Sequence, residues 1–381
     1  SRGLGDVYKR QHRCLEGKRM RLFKMEIYKL YHEKVFLWGV LSVIGLMMIF
    51  FWFAEVGDEL AVIGEKSYSG YEAVQVNRKI TKEFEGIITD EKIDQIIKKY
   101  GIPSKLGENM PNWRDGNYLN DFVVLYFTDG SWQAQILPTQ IYTLEESELG
   151  KVCENRGITP ALEYVKGWRA FVDLLQFGLI LGSIVVICSV STVFAKEGQT
   201  KMLPLIFTTE EGRRKDVYSK VFAAFLLTAT VFIGIVLLDF ILCNLVYGMD
   251  GFTNMTGIVL GEKMLRAVYQ VNFPQYLVRL LLFGLQGLSL LCAITLVISA
   301  NYNTSFATVI VSAVCWGMPV ILRMFLMGMS AIFIYATPLF LVMHGCLDDV
   351  YGAGGIVLCI SLLTGIICTV VGFLKYKTKE A

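Results

Sequence analysis

A polytopic α-helical membrane protein, with six transmembrane helices and a small extracellular α+β domain, is the fold this sequence predicts. Three observations predict it. Hydrophobic residues make up 54% of the 381 and charged residues 18%, with a mean hydropathy of +0.49, more apolar surface than a soluble domain can hide. Six apolar runs are long enough to cross a bilayer, for which ~20 residues suffice. A long polar stretch separates the first run from the second. The net charge of +2 points to no particular partner.

The first nineteen residues are set aside. Asp6–Gln11 (DVYKRQ) reads as the translation of a common sequencing-library transposon end, and Leu15-Glu16-Gly17 can be coded by a ribosome-binding site ahead of Met20. The chain is expected to start at Met20, or else at Met25. No small-residue cleavage site follows, so the first membrane helix is expected to be retained. Residues 20–34 place Leu22, Phe23, Ile27, Leu30 and Tyr31 on one side and Lys and Glu opposite. That pattern predicts an amphipathic helix lying in the inner membrane interface, where it is also available to a cytoplasmic partner.

The spans are expected at residues 35–54, 171–195, 221–246, 277–300, 306–322 and 354–374. Each gathers roughly 0.3–0.6 kcal/mol of insertion energy per large aliphatic residue. Residues 324–343 are apolar enough for a seventh, but charge bias decides against it. The basic segments 20–34 and 196–220 and the tail lysines Lys375, Lys377 and Lys379 share one side only if there are six spans, and that side should be the cytoplasm. With Pro338 inside it and Arg323 before it, 324–343 is read as an outer re-entrant or interfacial hairpin, tolerable only where protein covers its backbone.

The insert at 55–168 holds nineteen acidic and twelve basic residues and is long enough for one small domain. TDEKIDQIIKKYGIP predicts a short helix, capped by Thr89 or Asp90, with Ile93, Ile96, Ile97 and Tyr100 on one face and Gly101 and Pro103 ending it. FVVLYFTDGSWQAQIL predicts a β-hairpin turning at Asp129-Gly130, with Trp132, Ala134 and Ile136 on one side. The acidity of the insert is read as a solvated outer surface, with a surface that repels or recruits ligands as the alternative.

Catalytic motifs are missing. No phosphate-cradling Gly-x-x-x-x-Gly-Lys-Ser/Thr loop is present, so the chain is not expected to bind ATP itself. His32-Glu33 lacks the second His of a zinc-protease helix, and the three histidines are too scattered for a metal site. Gly352, Gly354 and Gly355 precede a span rather than following a strand. The nine cysteines contain no Cys-x-x-Cys; six fall in spans, and Cys153 and Cys346 fall outside, where they could pair though nothing in their spacing requires it. No enzyme activity, cofactor, metal or nucleic-acid partner is expected of this chain. Among the charged residues in or beside spans are Asp239, Arg279 and Arg323. A central unpaired Asp239 costs roughly 2.5–3.5 kcal/mol, so each is either ion-paired or snorkelling, or else lines a translocation path.

The segment 196–220 is the most distinctive. Its order is Phe194, Glu197-Gly198, Thr200, Leu203-Pro204-Leu205, Thr208-Thr209, Gly212-Arg213 and Lys220. An apolar run, Met202–Phe207, sits between charged flanks, and its exposure to water is unfavourable unless something docks on it. Glu197, Glu210, Glu211 and Arg213–Lys215 are expected at a polar rim. Alternatively the run rests on the inner leaflet, with the basic residues near anionic lipid. This order, with six spans, an amphipathic first helix and an outer hairpin before the last span, resembles type-2 ATP-binding cassette (ABC) transporter permeases. The resemblance implies a bacterial plasma-membrane subunit with cytoplasmic termini, acting as a homodimer or with a second permease in the lipid bilayer. It also implies that Glu197, Gly198, Leu203, Leu205, Phe207, Gly212 and Arg213 dock on a separate cytoplasmic ABC ATPase that binds ATP and Mg. Pro204 departs from the pattern, since it breaks a continuous coupling helix. A membrane-anchored sensor with an extracellular ligand-binding domain is the alternative, though no cytoplasmic signalling segment accompanies it. A secondary transporter would call for paired interrupted spans and midplane charges, neither of which stands out.

Overall fold

The computed structural model of the protein describes residues 22–103, 116–131, 136–200, 208, 215–261, 265, 272–325, 331–343 and 353–378. It is mostly helical, and six helices are long and apolar enough to cross a membrane: Lys34–Val56, Lys166–Gln199, Lys215–Val246, Phe273–Asn301, Ser305–Arg323 and Gly354–Lys377. Each expected span has its helix, extended beyond the apolar stretch because the backbone hydrogen-bond ladder continues into polar flanking turns. The second span is the most enclosed, with 72% of its most apolar stretch buried against 17% in each of the last two. The outer flanks of those two carry Phe306, Ile310, Leu363 and Ile367, as lipid-facing helices do.

The chain divides into two compact units, Ser1–Gly45 with Gln176–Val236 and Leu280–Ala381, and Leu46–Leu175 with Leu237–Arg279. In the first unit residues 22–31 form a helix with Leu30 buried. Part of 324–343 forms two helices, Ala331–Tyr335 and Pro338–Val342, far too short to cross a bilayer. They pack on Gly354–Lys377 and Ser305–Arg323 respectively, and Leu341 and Val342 are fully buried. Gly287 of the fourth span permits this approach: a Cβ there would come 3.0 Å from the Pro338 carbonyl oxygen, a backbone atom that cannot swing aside.

The second unit carries two small antiparallel pairs. β1 (Leu60–Ile63) pairs with β2 (Lys66–Ser69) about a Gly64-Glu65 turn, Leu60 opposite Ser69 and Ile63 opposite Lys66. β3 (Gly86–Ile87) pairs with β4 (Ala161–Leu162) across a long sequence separation. Short helices at Gly70–Glu83, Asp90–Tyr100, Tyr118–Phe127 and Glu148–Glu154 complete the insert. The expected helix over TDEKIDQIIKKYGIP forms at Asp90–Tyr100. Thr89 is its cap, accepting from the Lys92 amide; Ile93 and Ile96 are buried, and Gly101 ends it at φ +71°.

The expected strand over FVVLYF is overturned: Tyr118–Phe127 is an α-helix. Asn117 starts it with a reciprocal capping box. Its side chain accepts from the Leu119 and Asn120 amides, while Asn120 Oδ1 accepts from the Asn117 amide at 2.6 Å. Leu119, Phe122, Val123, Tyr126 and Phe127 are all buried, so apolar residues surround the helix and no alternating face remains to favour a strand. Around the expected turn, the described residues are joined by single bridges, Thr128 to Ile141 and Ser131 to Ile136. Asp129 holds that stretch by accepting from the Thr139 and Gln140 amides, each at 2.8 Å, and from the Thr139 hydroxyl. Trp132 and Ala134 lie outside the described residues.

Candidate functional site at the ends of the 196–220 segment

The second span is not one continuous helix. Lys166–Val190 and Thr192–Gln199 meet at Ser191, whose hydroxyl bonds back to the Cys188 carbonyl instead of capping the new helix. Ser299 of the fourth span takes over that task. Its Oγ accepts from the Phe194 and Ala195 amides, each at 3.1 Å, and donates to the Ser191 carbonyl at 2.9 Å. Amides that would otherwise be orphaned at a buried helix start are thus satisfied from a neighbouring span.

The short helix delivers Glu197 into the protein, with a side chain only 8% exposed. Its Oε1 lies 2.8 Å from Lys220 Nζ and 3.8 Å from Lys29 Nζ, and its Oε2 accepts from the Tyr376 hydroxyl. Lys220, 1% exposed, also pairs with Asp216 one turn earlier and reaches Glu26 at 4.0 Å. The Tyr376 ring packs on Phe194 with centroids 4.4 Å apart. The cluster therefore joins four elements: the 22–31 helix, the end of the second span, the start of the third and the end of the sixth.

Three carboxylates face two ammonium groups here. Burial pushes the Glu26 carboxyl above its usual range, Lys220 and Lys29 pull it back, and Asp216 and Glu197 reinforce the rise. Burial thus favours a protonated Glu26, and its protonation would balance the remaining charges. Outside this group Lys196 pairs with Glu33 at 2.7 Å. Gly198 lies against Asn303, where a Cβ would meet Oδ1 at 3.1 Å and Cα at 3.3 Å.

Glu197 is thus turned inward, not placed at an exposed rim as the sequence suggests. The reason is the fixed positive charge of Lys220, which has to be compensated where it is buried. Glu26 differs likewise from the expected helix, in which every charged residue lies away from the packed face. Leu203, Leu205, Phe207, Gly212 and Arg213, with Pro204, lie outside the described residues. Sequence reasoning marks Glu197 and Lys220 as motif positions but not as partners. Glu26, Asp216 and Tyr376 it misses, although acids at Glu26 and Asp216 near a lysine on successive turns are a readable signal.

Asp239 is fully buried; its Oδ1 accepts from Cys243 Sγ at 3.4 Å, while its Oδ2 has no hydrogen-bond partner and no ion pair reaches it among the described residues. Of the alternatives for Asp239, an ion pair is not found there. Arg323 donates to the Tyr335 hydroxyl at 3.0 Å and lies over that ring, 5.4 Å from its centroid. Arg279 is half-buried in the fourth span. Cys153 is a free thiol, buried 3.4 Å from Met255 Sδ, and Cys346 lies outside the described residues. No protein-family model, curated protein or solved structure matches this chain.

Proposed function

We propose that this chain is the membrane-spanning permease subunit of an ABC exporter, moving a substrate across a bacterial plasma membrane with ATP hydrolysed by a separate subunit. One observation carries the reading. The two ends of the 196–220 segment close on a single buried charge cluster that also holds the 22–31 helix and the sixth span. Force received between these ends is delivered to several membrane elements at once, which a passive connector has no need to do. The motif order along 194–220 and the six long apolar helices support the same reading.

In this reading both termini and the 196–220 segment face the cytoplasm, and the 55–168 insert is an extracellular domain. Leu203, Leu205 and Phe207 supply the apolar contact with the ATPase, and the chain works as a homodimer or with a second permease. The test is co-purification with an ABC ATPase encoded beside the gene, before and after Leu205→Ser and Phe207→Ser. Loss of the ATPase from both variants, with unchanged yield of this chain, is the expected result; undiminished binding would refute docking.

A second reading, a membrane-anchored sensor, draws on a different observation. A cavity of about 180 Å³ in the second unit is lined by Glu55, Asp58, Glu59, Asp121, Tyr118 and Lys166. Lys166 bonds Glu59 at 2.9 Å, leaving an acidic surplus suited to a cationic ligand. A sensor predicts that the chain purifies alone and that no ATPase binds it.

A further inference from the structure

A lateral groove of about 290 Å³ opens among the third, fourth and sixth spans, lined by Phe225, Gln286, Leu290, Leu362, Ile366 and Thr369, with Ser289 beside them. Its wall is apolar except for three groups. The Thr369 hydroxyl is occupied by the Gly365 carbonyl at 2.8 Å. Gln286 and Ser289 make no side-chain hydrogen bond among the described residues. Gln286 stands thirteen residues from one end of the 29-residue helix Phe273–Asn301 and fifteen from the other, about 20 Å from each. That is the middle of the hydrocarbon, where no water is on hand to satisfy an amide.

We propose that this groove is a binding site for an uncharged hydrogen-bonding group, a hydroxyl or amide, carried within the apolar body of an amphiphile drawn from the bilayer. The amide of Gln286 can donate to such a group and accept from it, which a hydrocarbon chain alone cannot exploit. A charged head group is not the occupant, because a charge at this depth is strongly disfavoured. A helix of a second copy would bring its own side chains to this face and is distinguished by the cross-linking below. A hydroxyl part-way along an acyl chain lies at the depth of the Gln286 amide. The site does not depend on the exporter reading and would serve equally as a substrate site or a structural-lipid site.

The test uses 12-hydroxyoctadecanoate, whose hydroxyl lies near the bilayer centre when its carboxylate is at the interface, against octadecanoate, which lacks it. Thermal unfolding of the full chain in detergent is followed as each is titrated. The hydroxylated chain is expected to stabilise the protein at concentrations roughly fivefold lower or better. Gln286→Leu, which removes an unmet amide and should fold as well as the parent, is expected to make the two ligands equal. Gly365→Phe is expected to fill the groove and remove the response to both. A Cβ at Gly365 meets only Leu290 Cδ1, at an ordinary 3.7 Å, so the new side chain starts without a clash at its root. Equal responses in the parent, or a hydroxyl preference that survives Gln286→Leu, would overturn the proposal. So would efficient cross-linking of two copies through Gln286→Cys in membranes, which would assign this face to a dimer.

Discussion

Glu197 and Lys220 lie 2.8 Å apart, although twenty-two residues separate them along the chain. Lys220 cannot shed its charge into water, so its three acidic neighbours are a condition of its burial. Replacing Lys220 with Met would leave Glu197, Asp216 and Glu26 facing one another with only Lys29 at hand. Breaking a buried pair from one side costs about 3–5 kcal/mol. A fall in melting temperature and in membrane yield is expected, partly restored when Glu197→Gln is added. An unchanged melting curve would show that the cluster does not hold these helices.

Glu26 should behave oppositely. Its carboxyl sits above the ordinary range because it is buried, so the folded state binds its proton more tightly than the unfolded state does. The associated stabilisation is complete below the unfolded value of 4.5 and declines as pH rises through the folded value. Glu26→Gln is expected to remove that decline and to leave stability at neutral pH equal to or above the parent's. Thermal unfolding across pH checks this, and a steeper loss with rising pH in the variant would contradict it.

Ser299→Ala leaves the Phe194 and Ala195 amides without their acceptor. An unsatisfied buried amide costs about 1–3 kcal/mol, and the effect should be local. Hydrogen exchange at residues 192–199 is expected to quicken while exchange in Lys166–Val190 is unchanged. Uniform exchange in parent and variant would mean that the hydroxyl contributes nothing to the joint.

The Asp129 carboxyl is held down to about 2 by the Thr139 hydroxyl, the Gln140 amide and the Thr139 amide, against an ordinary 3.8. A depressed acid adds stability above its unfolded value, lost as pH falls through the folded one. The 128–141 stretch is therefore expected to resist limited proteolysis down to about pH 4 and to lose that resistance between about pH 4 and pH 2. An acid-tolerant protease reads this out, and Asp129→Asn should be cleaved equally throughout.

Burial pushes the Cys153 thiol up to about 11. Little thiolate exists at neutral pH, and the sulfur is enclosed besides. Alkylation by maleimide in native membranes is expected to be slow until the protein is denatured, and rapid labelling would place Cys153 at the surface.

Much of the membrane architecture was legible because hydropathy over ~20 residues is a long-window property. Flanking turns such as Lys215–Lys220 and Phe273–Gln275 were not, since helices continue past their apolar part for reasons of backbone bonding. Tyr118–Phe127 misled because a short apolar run has no period of its own. Asn117 and Asn120, three apart, were the signal that could have corrected it. The site was half legible: motif order singled out Glu197 and Lys220, but pairing over so long a separation depends on tertiary packing. Gln286 carries no charge, the feature by which a polar residue stands out in an apolar span.

The break at Ser191 has a mechanical consequence. An unbroken helix of 34 residues is a stiff rod of about 50 Å, and displacement at Gln199 would reach Lys166. Here the ladder is interrupted after Ser191 and restored by a hydroxyl from a neighbouring helix, so the last eight residues, about 12 Å long, are tied sideways to Ser299 as well as lengthwise to the rest of the span. A load on Glu197 would therefore be shared with the fourth span.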